Sequence, residues 1–246
     1  MGLRTRLENL VDRLIPGLGL RPLVLCCVAT WVLVGSMTTL RMAPGLETLQ
    51  VWLGVNFGVS DRLLTHYVIG HLASLFFLLV IPVVTLYLLD RDWRLRDLGL
   101  LPRNEGQGLL IAQGLYLLML PLIYLASMTP QFANFYPVVK VAGLDASAFL
   151  IYQLAYLVRW VCWEFFFRGF LLFGLWRDFG AGAVVISSLA FAFVHVGKPP
   201  LEMAGAVISG FALCWLALRS KSIWPGVLLH WQVAMTMDFL ASDWWR

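Results

Sequence analysis

Charged residues are scarce in this 246-residue chain, and several common functional signatures are missing from it. Aspartate, glutamate, lysine and arginine make up 13% of the residues, which is about half of their share in soluble domains. The four cysteines form no Cys-x-x-Cys pair, and no His-Glu-x-x-His motif is present, which argues against the common zinc patterns. No basic stripe with interleaved aromatic residues appears, so no nucleic-acid partner is predicted. With no internal repeat and no low-complexity tract, the membrane part is interpreted as one domain.

Apolar residues fill most of the sequence. Hydrophobic side chains make up 60% of the residues and the mean hydropathy is +0.80, as expected for an integral membrane protein. Only helices and closed barrels satisfy their backbone hydrogen bonds in lipid. The predicted fold class is all-α, a polytopic transmembrane helix bundle of about seven spans. The candidate segments for crossing about 30 Å of hydrocarbon are 22–40, 66–89, 108–127, 148–176, 181–196, 203–219 and 223–241. The fourth is long enough to tilt or to contain a break, and the fifth is short.

The basic residues are unevenly distributed between the two sets of loops. Eleven of the eighteen lysines and arginines fall on the side of the N-terminus and five on the other, while Arg159 and Arg168 lie within the fourth span. This bias predicts a cytoplasmic N-terminus. Residues 1–21 are predicted to form an amphipathic lead-in that contacts membrane lipid, followed by a single membrane domain over 22–246.

Three of the spans contain ionisable side chains, which lipid penalises and which therefore mark candidate functional sites. Glu164 and Arg168 are four residues apart in the fourth span, so we expect an ion pair on one helical face. His195 lies in the fifth span, and His230 and Asp238 lie two turns apart in the seventh. We count depths from the cytoplasmic helix ends at about 1.5 Å per residue. His230 is then roughly 10 Å deep, whereas Glu164, His195 and Asp238 are roughly 20 to 22 Å deep. We expect these groups to line one cavity.

These residue types can support hydrolysis of a peptide bond. A buried carboxylate such as Glu164 can act as a general base toward water. His195 and His230 can bind that water or stabilise an oxyanion. The same two histidines and one glutamate could instead hold a zinc ion. The prediction is that no cofactor is used, with zinc as the alternative.

Three short motifs occur in order on three of the spans: Trp163-Glu164-x-x-x-Arg168, Phe191-x-x-x-His195 and His230-x-x-x-Ala234. With them the chain resembles the CAAX-protease and bacteriocin-processing family, whose motifs are E-E-x-x-x-R, F-x-x-x-H and H-x-x-x-N. These are intramembrane glutamic endopeptidases and include the Ras-converting prenyl-protein protease. The resemblance covers about 145–241, which forms a family-like catalytic core.

Two positions depart from the family's pattern. Trp163 replaces the family's first glutamate, which is usually assigned as the base that activates water, and Ala234 replaces an oxyanion-binding asparagine. An indole cannot act as that base, and an alanine side chain cannot donate that hydrogen bond. One possibility is that Glu164 takes over as the base, while His230, Asp238 or a backbone amide supplies the hydrogen bond to the oxyanion. The other is that the protein binds its substrate without cleaving it.

The resemblance implies an intramembrane endopeptidase in the bacterial inner membrane that cleaves near the C-terminal tail or membrane segment of a protein substrate. Glu164 would activate water, His195 position it and His230 stabilise the oxyanion, with Arg168 and Asp238 as supporting residues. The motifs are also similar to those of a bacterial subgroup, the myxosortases, which process C-terminal sorting tails. The alternatives are a catalytically inactive scaffold or substrate-binding protein, and a proton-coupled carrier, against which the absence of an inverted repeat argues.

Other polar residues near the spans are predicted to have structural roles. His66 and His71, at the outer start of the second span, are predicted to be interfacial and not catalytic. Glu202 is predicted to pair with Lys198 at the surface. A role for Glu202 as a second catalytic carboxylate is the alternative.

Overall fold

The computed structural model describes residues 3–42, 46–58, 61–90, 94–101 and 105–244. In these ranges every regular element is helical. The helices, in chain order, are α1 Leu3–Leu14, α2 Leu20–Met42, α3 Leu46–Phe57, α4 Arg62–Leu89, α5 Gly106–Ser127, α6 Pro130–Phe135, α7 Ala146–Phe179, α8 Gly182–Phe193, α9 Pro200–Ser220 and α10 Trp224–Leu240.

The protein is an all-α transmembrane helix bundle, as predicted. Four helices, α4, α5, α7 and α9, are long and apolar enough to cross a membrane, and α2 and α8 include shorter apolar segments. Each of the seven predicted spans coincides with a helix, while the number of true spans stays a prediction. Helix α3 was not expected, because its twelve residues extend only about 18 Å and fall short of a membrane span.

Ion pairs tie together helix ends that the charge distribution assigned to one side. Arg21, at the start of α2, binds Asp178 near the end of α7. Arg177 binds Asp90, which follows α4, at 2.6 Å. Three basic residues of the charge count, Arg91, Arg103 and Arg246, lie outside the described residues, as do Met1 and Gly2 of the lead-in.

Helix α7 occupies the centre of the bundle. Half of its apolar window is buried, against 11% to 33% in the other long helices. The side chain of Asp145 caps its first turn by accepting a hydrogen bond from the Ala148 amide at 2.7 Å. Residues Phe165–Phe173 adopt π-helical hydrogen bonding inside the helix. This span, predicted either to tilt or to contain a break, thus contains a local change of helical pitch, of a kind that is frequent at functional sites.

Helix α10 packs between α5 and α7. Towards α5 it forms polar contacts between Gln232 and Gln113 at 3.0 Å and between Thr236 and Tyr116 at 2.7 Å. Towards α7 it presents His230, and this side carries the candidate site.

Candidate active site

Glu164 lies at the end of the regular α-helical part of α7, immediately before the π-helical segment. Its side chain is fully buried. Its Oε1 atom accepts hydrogen bonds from Arg168 Nη1 at 3.1 Å and from His230 Nδ1 at 2.7 Å. The contact with Arg168 follows from four-residue spacing on one helix, whereas the contact with His230 joins α7 to α10.

Arg168 is held on two sides in the interior of the bundle. It is fully buried, binds Glu164, and its guanidinium carbon lies 4.5 Å from the ring centroid of Phe191. An aromatic face attracts a desolvated cation, so the ring and the carboxylate together stabilise the buried charge. The predicted ion pair is present.

The ring of His230 has a defined orientation. It stacks on Trp160 with centroids 3.8 Å apart and planes tilted by 24°. Because an ionised carboxylate only accepts hydrogen bonds, the contact with Glu164 puts a proton on Nδ1. One turn earlier on α10, Gly226 lies so close to Glu164 that an added Cβ would be 2.7 Å from Oε2. The glycine therefore permits the approach of α10 to the carboxylate.

Replacing Gly226 with alanine is expected to push the Glu164 carboxylate away from His230. We expect a loss of about 1–3 kcal/mol in the free energy of unfolding, as for other overpacked sites, measured by denaturant titration in detergent. Gly205→Ala on α9 is the matched control, since a Cβ there meets nothing within 4 Å. Equal stabilities of the two variants would contradict this packing argument.

His195 lies in the turn that follows α8 and is 5% exposed. Its Nδ1 is 2.7 Å from the carbonyl oxygen of Phe191, and since a carbonyl only accepts, Nδ1 carries a proton. In the neutral ring this leaves a lone pair on Nε2. His195 lines a cavity of about 170 Å³. The Phe191 ring lies against both imidazoles, with centroids 4.5 Å from His195 and 5.4 Å from His230.

The structure brings some of the predicted site residues together and separates another. Glu164, Arg168 and His230 are in direct contact, and His195 is adjacent across Phe191. Asp238, in contrast, accepts a hydrogen bond from Gln153 at 2.9 Å. Gln153 precedes Glu164 by eleven residues, or about 16 Å of helix. Asp238 therefore belongs to a separate buried polar contact.

The depths counted from the helix ends were wrong for His230 and Asp238. They put His230 about 10 Å shallower than Glu164, yet the two side chains are hydrogen-bonded. The reason is that the cytoplasmic end of α7 and the start of α10 do not lie at one level. At the start of α10 the Ile223 amide donates to the carbonyl of Gly99 at 3.0 Å. Gly99 packs against Phe173, six residues before the end of α7, so depths counted from the two helix ends are not comparable.

His71 and Arg159 line the cavity, and neither was assigned a functional role from the sequence. His71 was predicted to be interfacial, which is wrong: it is 2% exposed, lies 3.9 Å from the ring centroid of Tyr67, and lines the cavity. Arg159 is 8% exposed and also lines it. The available signal was an arginine in the apolar fourth span, one turn before Trp163. Trp163 itself lines the cavity.

The predicted pair of Lys198 and Glu202 is confirmed, with 2.7 Å between Nζ and Oε1. Tyr136 adds a contact that the sequence did not indicate, donating its hydroxyl hydrogen to Glu202 Oε2 at 2.6 Å. Burial, and then the neighbouring Glu202 carboxylate, raise the pKa of Tyr136 above its ordinary value. The phenol therefore stays protonated as a donor. Tyr136 and Lys198 line the same cavity as His195.

The structure gives no support to the zinc alternative. Among the described residues, no group of three histidine, cysteine, aspartate or glutamate side chains is placed to hold a metal ion. The absence of a cofactor stays a prediction.

Comparison with known proteins identifies the segment that carries this site. Residues 145–236 match the family model described as "Type II CAAX prenyl endopeptidase Rce1-like". This segment is therefore similar to the CAAX-protease and bacteriocin-processing family, as the motifs predicted. No curated protein and no solved structure matches the chain. The protein is an integral membrane protein in which residues 145–236 are similar to a CAAX protease-type peptidase, and its assignment to a bacterial subgroup stays a prediction.

Proposed function

We propose that the protein is an intramembrane endopeptidase that hydrolyses a peptide bond near the C-terminal tail or membrane segment of a protein substrate. The observation that carries this proposal is the contact between Glu164 and His230, with His195 nearby at the edge of a cavity. All three lie within the segment that matches the protease family. A carboxylate that orients an imidazole is a recurring arrangement in hydrolytic active sites.

In the proposed mechanism Glu164 acts through His230. Its carboxylate is fully buried, and Oε1 is occupied by Arg168 and His230. Glu164 is therefore a positioning residue, in contrast to the direct base expected from the sequence. It holds the proton on His230 Nδ1, which leaves the Nε2 lone pair to accept a proton from water.

The proposed steps balance without a cofactor. The Nε2 lone pair of His195 accepts a hydrogen bond from the attacking water and orients it. As the water oxygen bonds to the scissile carbonyl carbon, His230 takes one water proton. Glu164 stabilises the resulting imidazolium. The imidazolium then donates a hydrogen bond from Nε2 to the developing oxyanion, which is the contact predicted for His230. The same proton then passes to the leaving nitrogen as the carbon–nitrogen bond breaks.

A second candidate function is supported by a specific feature of the cavity. Trp163 lines the cavity at the position of the family's first glutamate, and no carboxylate is among its lining residues in the described parts of the chain. Trp160 also lines the cavity, and its ring stacks on His230. These features favour a family member that binds a protein segment without cutting it, as a membrane scaffold or substrate-binding protein.

Cleavage in water labelled with oxygen-18 distinguishes the two functions. The purified protein is incubated with candidate C-terminal tail peptides, and the enzyme proposal expects product whose new carboxylate carries one labelled oxygen. His195→Ala is expected to lower the rate by about 100-fold, because the attacking water is no longer held in position. The rate is expected to be unchanged by chelators. Peptide binding without labelled product would support the scaffold and contradict the enzyme.

We also propose that the membrane is the bacterial inner membrane and that the N-terminus is cytoplasmic. The excess of basic residues on the side of the N-terminus supports this orientation. Digestion of an N-terminal tag by added protease is expected in inverted vesicles, with protection in right-side-out vesicles. The opposite pattern would contradict it.

A further inference from the structure

The cavity beside His195 contains hydrogen-bond donors for which the described residues provide no acceptor. The indole Nε1 atoms of Trp160 and Trp163 are buried and have no hydrogen-bond partner in the part of the chain that the structure describes. Both residues line the cavity. Buried donors in proteins are nearly always paired, and a donor without a partner inside a cavity indicates a bound acceptor.

His71 provides a second and independent sign of a ligand. Its side chain is 2% exposed, and neither ring nitrogen has a hydrogen-bond partner among the described residues. Its ring lies between Tyr67 and Tyr156, with centroid distances of 3.9 Å and 5.3 Å. These contacts orient the imidazole but do not satisfy its nitrogens. His71 lines the cavity, so a ligand there can provide the missing partner.

Arg159 brings a positive charge to the same cavity. It is 8% exposed and donates from Nη1 to the hydroxyl of Ser74 at 3.1 Å. Its guanidinium carbon lies 4.6 Å from the ring centroid of Trp163. Within the parts of the chain that the structure describes, no carboxylate forms an ion pair with it. A buried guanidinium is costly without a counter-charge, and the cavity offers the space for one.

The size of the cavity limits the ligand. At about 170 Å³ it is smaller than a pocket for a drug-sized molecule, which starts at about 300 Å³. It has room for a group of about one amino-acid residue. Its aromatic walls suit an apolar side chain, while the planar guanidinium of Arg159 suits a planar carboxylate.

We propose that Arg159 and His71 form a subsite for a carboxylate carried by a peptide ligand of the cavity. The carboxylate binds the Arg159 guanidinium and accepts hydrogen bonds from His71 and the two indoles. A carboxylate of a peptide and that of a fatty acid share this chemistry. The choice of a peptide rests on the proposed function, because His195 of the same cavity belongs to the proposed catalytic site.

The subsite is tested by binding, with two probes that differ in one group. N-acetyl-leucine and its neutral analogue N-acetyl-leucinamide are titrated into the purified full chain in detergent, with ligand-observed NMR as the measurement. We expect the acid to bind about tenfold more tightly than the amide, because hydrogen bonds to charged groups are the stronger ones. Arg159→Gln is expected to remove the preference, and Arg159→Lys to retain part of it.

Two further variants separate the subsite from general effects on folding. Arg219→Gln is the matched control, since Arg219 is exposed and lies beside Trp215, away from the cavity. It is expected to keep the preference of the wild type. His71→Phe keeps a ring between the two tyrosines and removes the nitrogens, and it is expected to weaken binding of the acid and not of the amide.

Several outcomes would overturn the proposal. They are equal binding of acid and amide by the wild type, a preference that survives in Arg159→Gln, and a preference lost equally in Arg219→Gln. Tighter binding of octanoate than of N-acetyl-leucine would assign the subsite to a fatty acid and overturn the peptide assignment. None of these measurements requires cleavage. If the protein prefers the acid but cleaves no peptide, the subsite proposal is supported and the protease proposal is contradicted. If it cleaves peptides without that preference, the protease proposal is supported and the subsite proposal is contradicted.

Discussion

Replacing His230 with alanine is expected to lower kcat for peptide cleavage by about 100-fold or more, which is the usual effect of losing an acid–base group. Glu164→Gln is expected to cause a loss of the same order. The reason is that the amide no longer matches the charge of the imidazolium that forms on His230 during the reaction. Cleavage of a tail peptide under single-turnover conditions measures both effects.

The double variant decides whether Glu164 acts through His230. Residues that act as one unit have strongly non-additive effects on rate. We therefore expect Glu164→Gln with His230→Ala to be about as slow as His230→Ala alone. If the two losses multiply, Glu164 contacts the water independently, as the sequence first indicated. Rates are compared per folded protein, because Glu164 also supports the fold.

Replacing Arg168 with methionine is expected to lower the free energy of unfolding by about 3–5 kcal/mol. Loss of one partner from a buried ion pair leaves the other charge without compensation. Here Glu164 would remain fully buried, with His230 as its remaining hydrogen-bond partner. Steric trapping or denaturant titration in a bilayer mimic measures the change.

Two comparisons isolate the effect of the unpaired charge. Arg177→Met removes the guanidinium from a pair with Asp90 in which the arginine side chain is 52% exposed, and it is expected to cost about 1 kcal/mol or less. Glu164→Gln combined with Arg168→Met removes both charges and is expected to regain part of the loss. A double variant less stable than Arg168→Met would mean that packing of the guanidinium on Phe191, and not charge, dominates.

The site contacts that the sequence could predict are all local. Glu164 with Arg168, and Lys198 with Glu202, are four residues apart on one helix and form the expected ion pairs. Such spacing is set by the 3.6 residues of a helical turn, whatever surrounds the helix. The substitution of Trp163 for the family's glutamate is likewise a property of the chain that no packing can alter.

The site contacts that could not be predicted all join different helices. The bond from His230 to Glu164 depends on how far α10 is shifted along α7, and the separation of Asp238 from Glu164 follows from the same shift. The burial of His71 depends on the packing of α4 against α7. The apolar stretches of the sequence limit how long each helix can be, but they give no information on how the helices are rotated or shifted relative to one another.

The sequence by itself determined that this is a helical membrane protein, where its main membrane helices lie, and which ionisable groups they carry into the bundle. Hydropathy and residue order are sufficient for that, because lipid forces a membrane-spanning segment to satisfy its own backbone. Only the tertiary structure decided which of those groups meet. It joined Glu164 to His230, moved Asp238 to Gln153, and enclosed Arg159 and His71 in one cavity. Those choices depend on side-chain packing between helices, which has no counterpart in the order of residues along one chain.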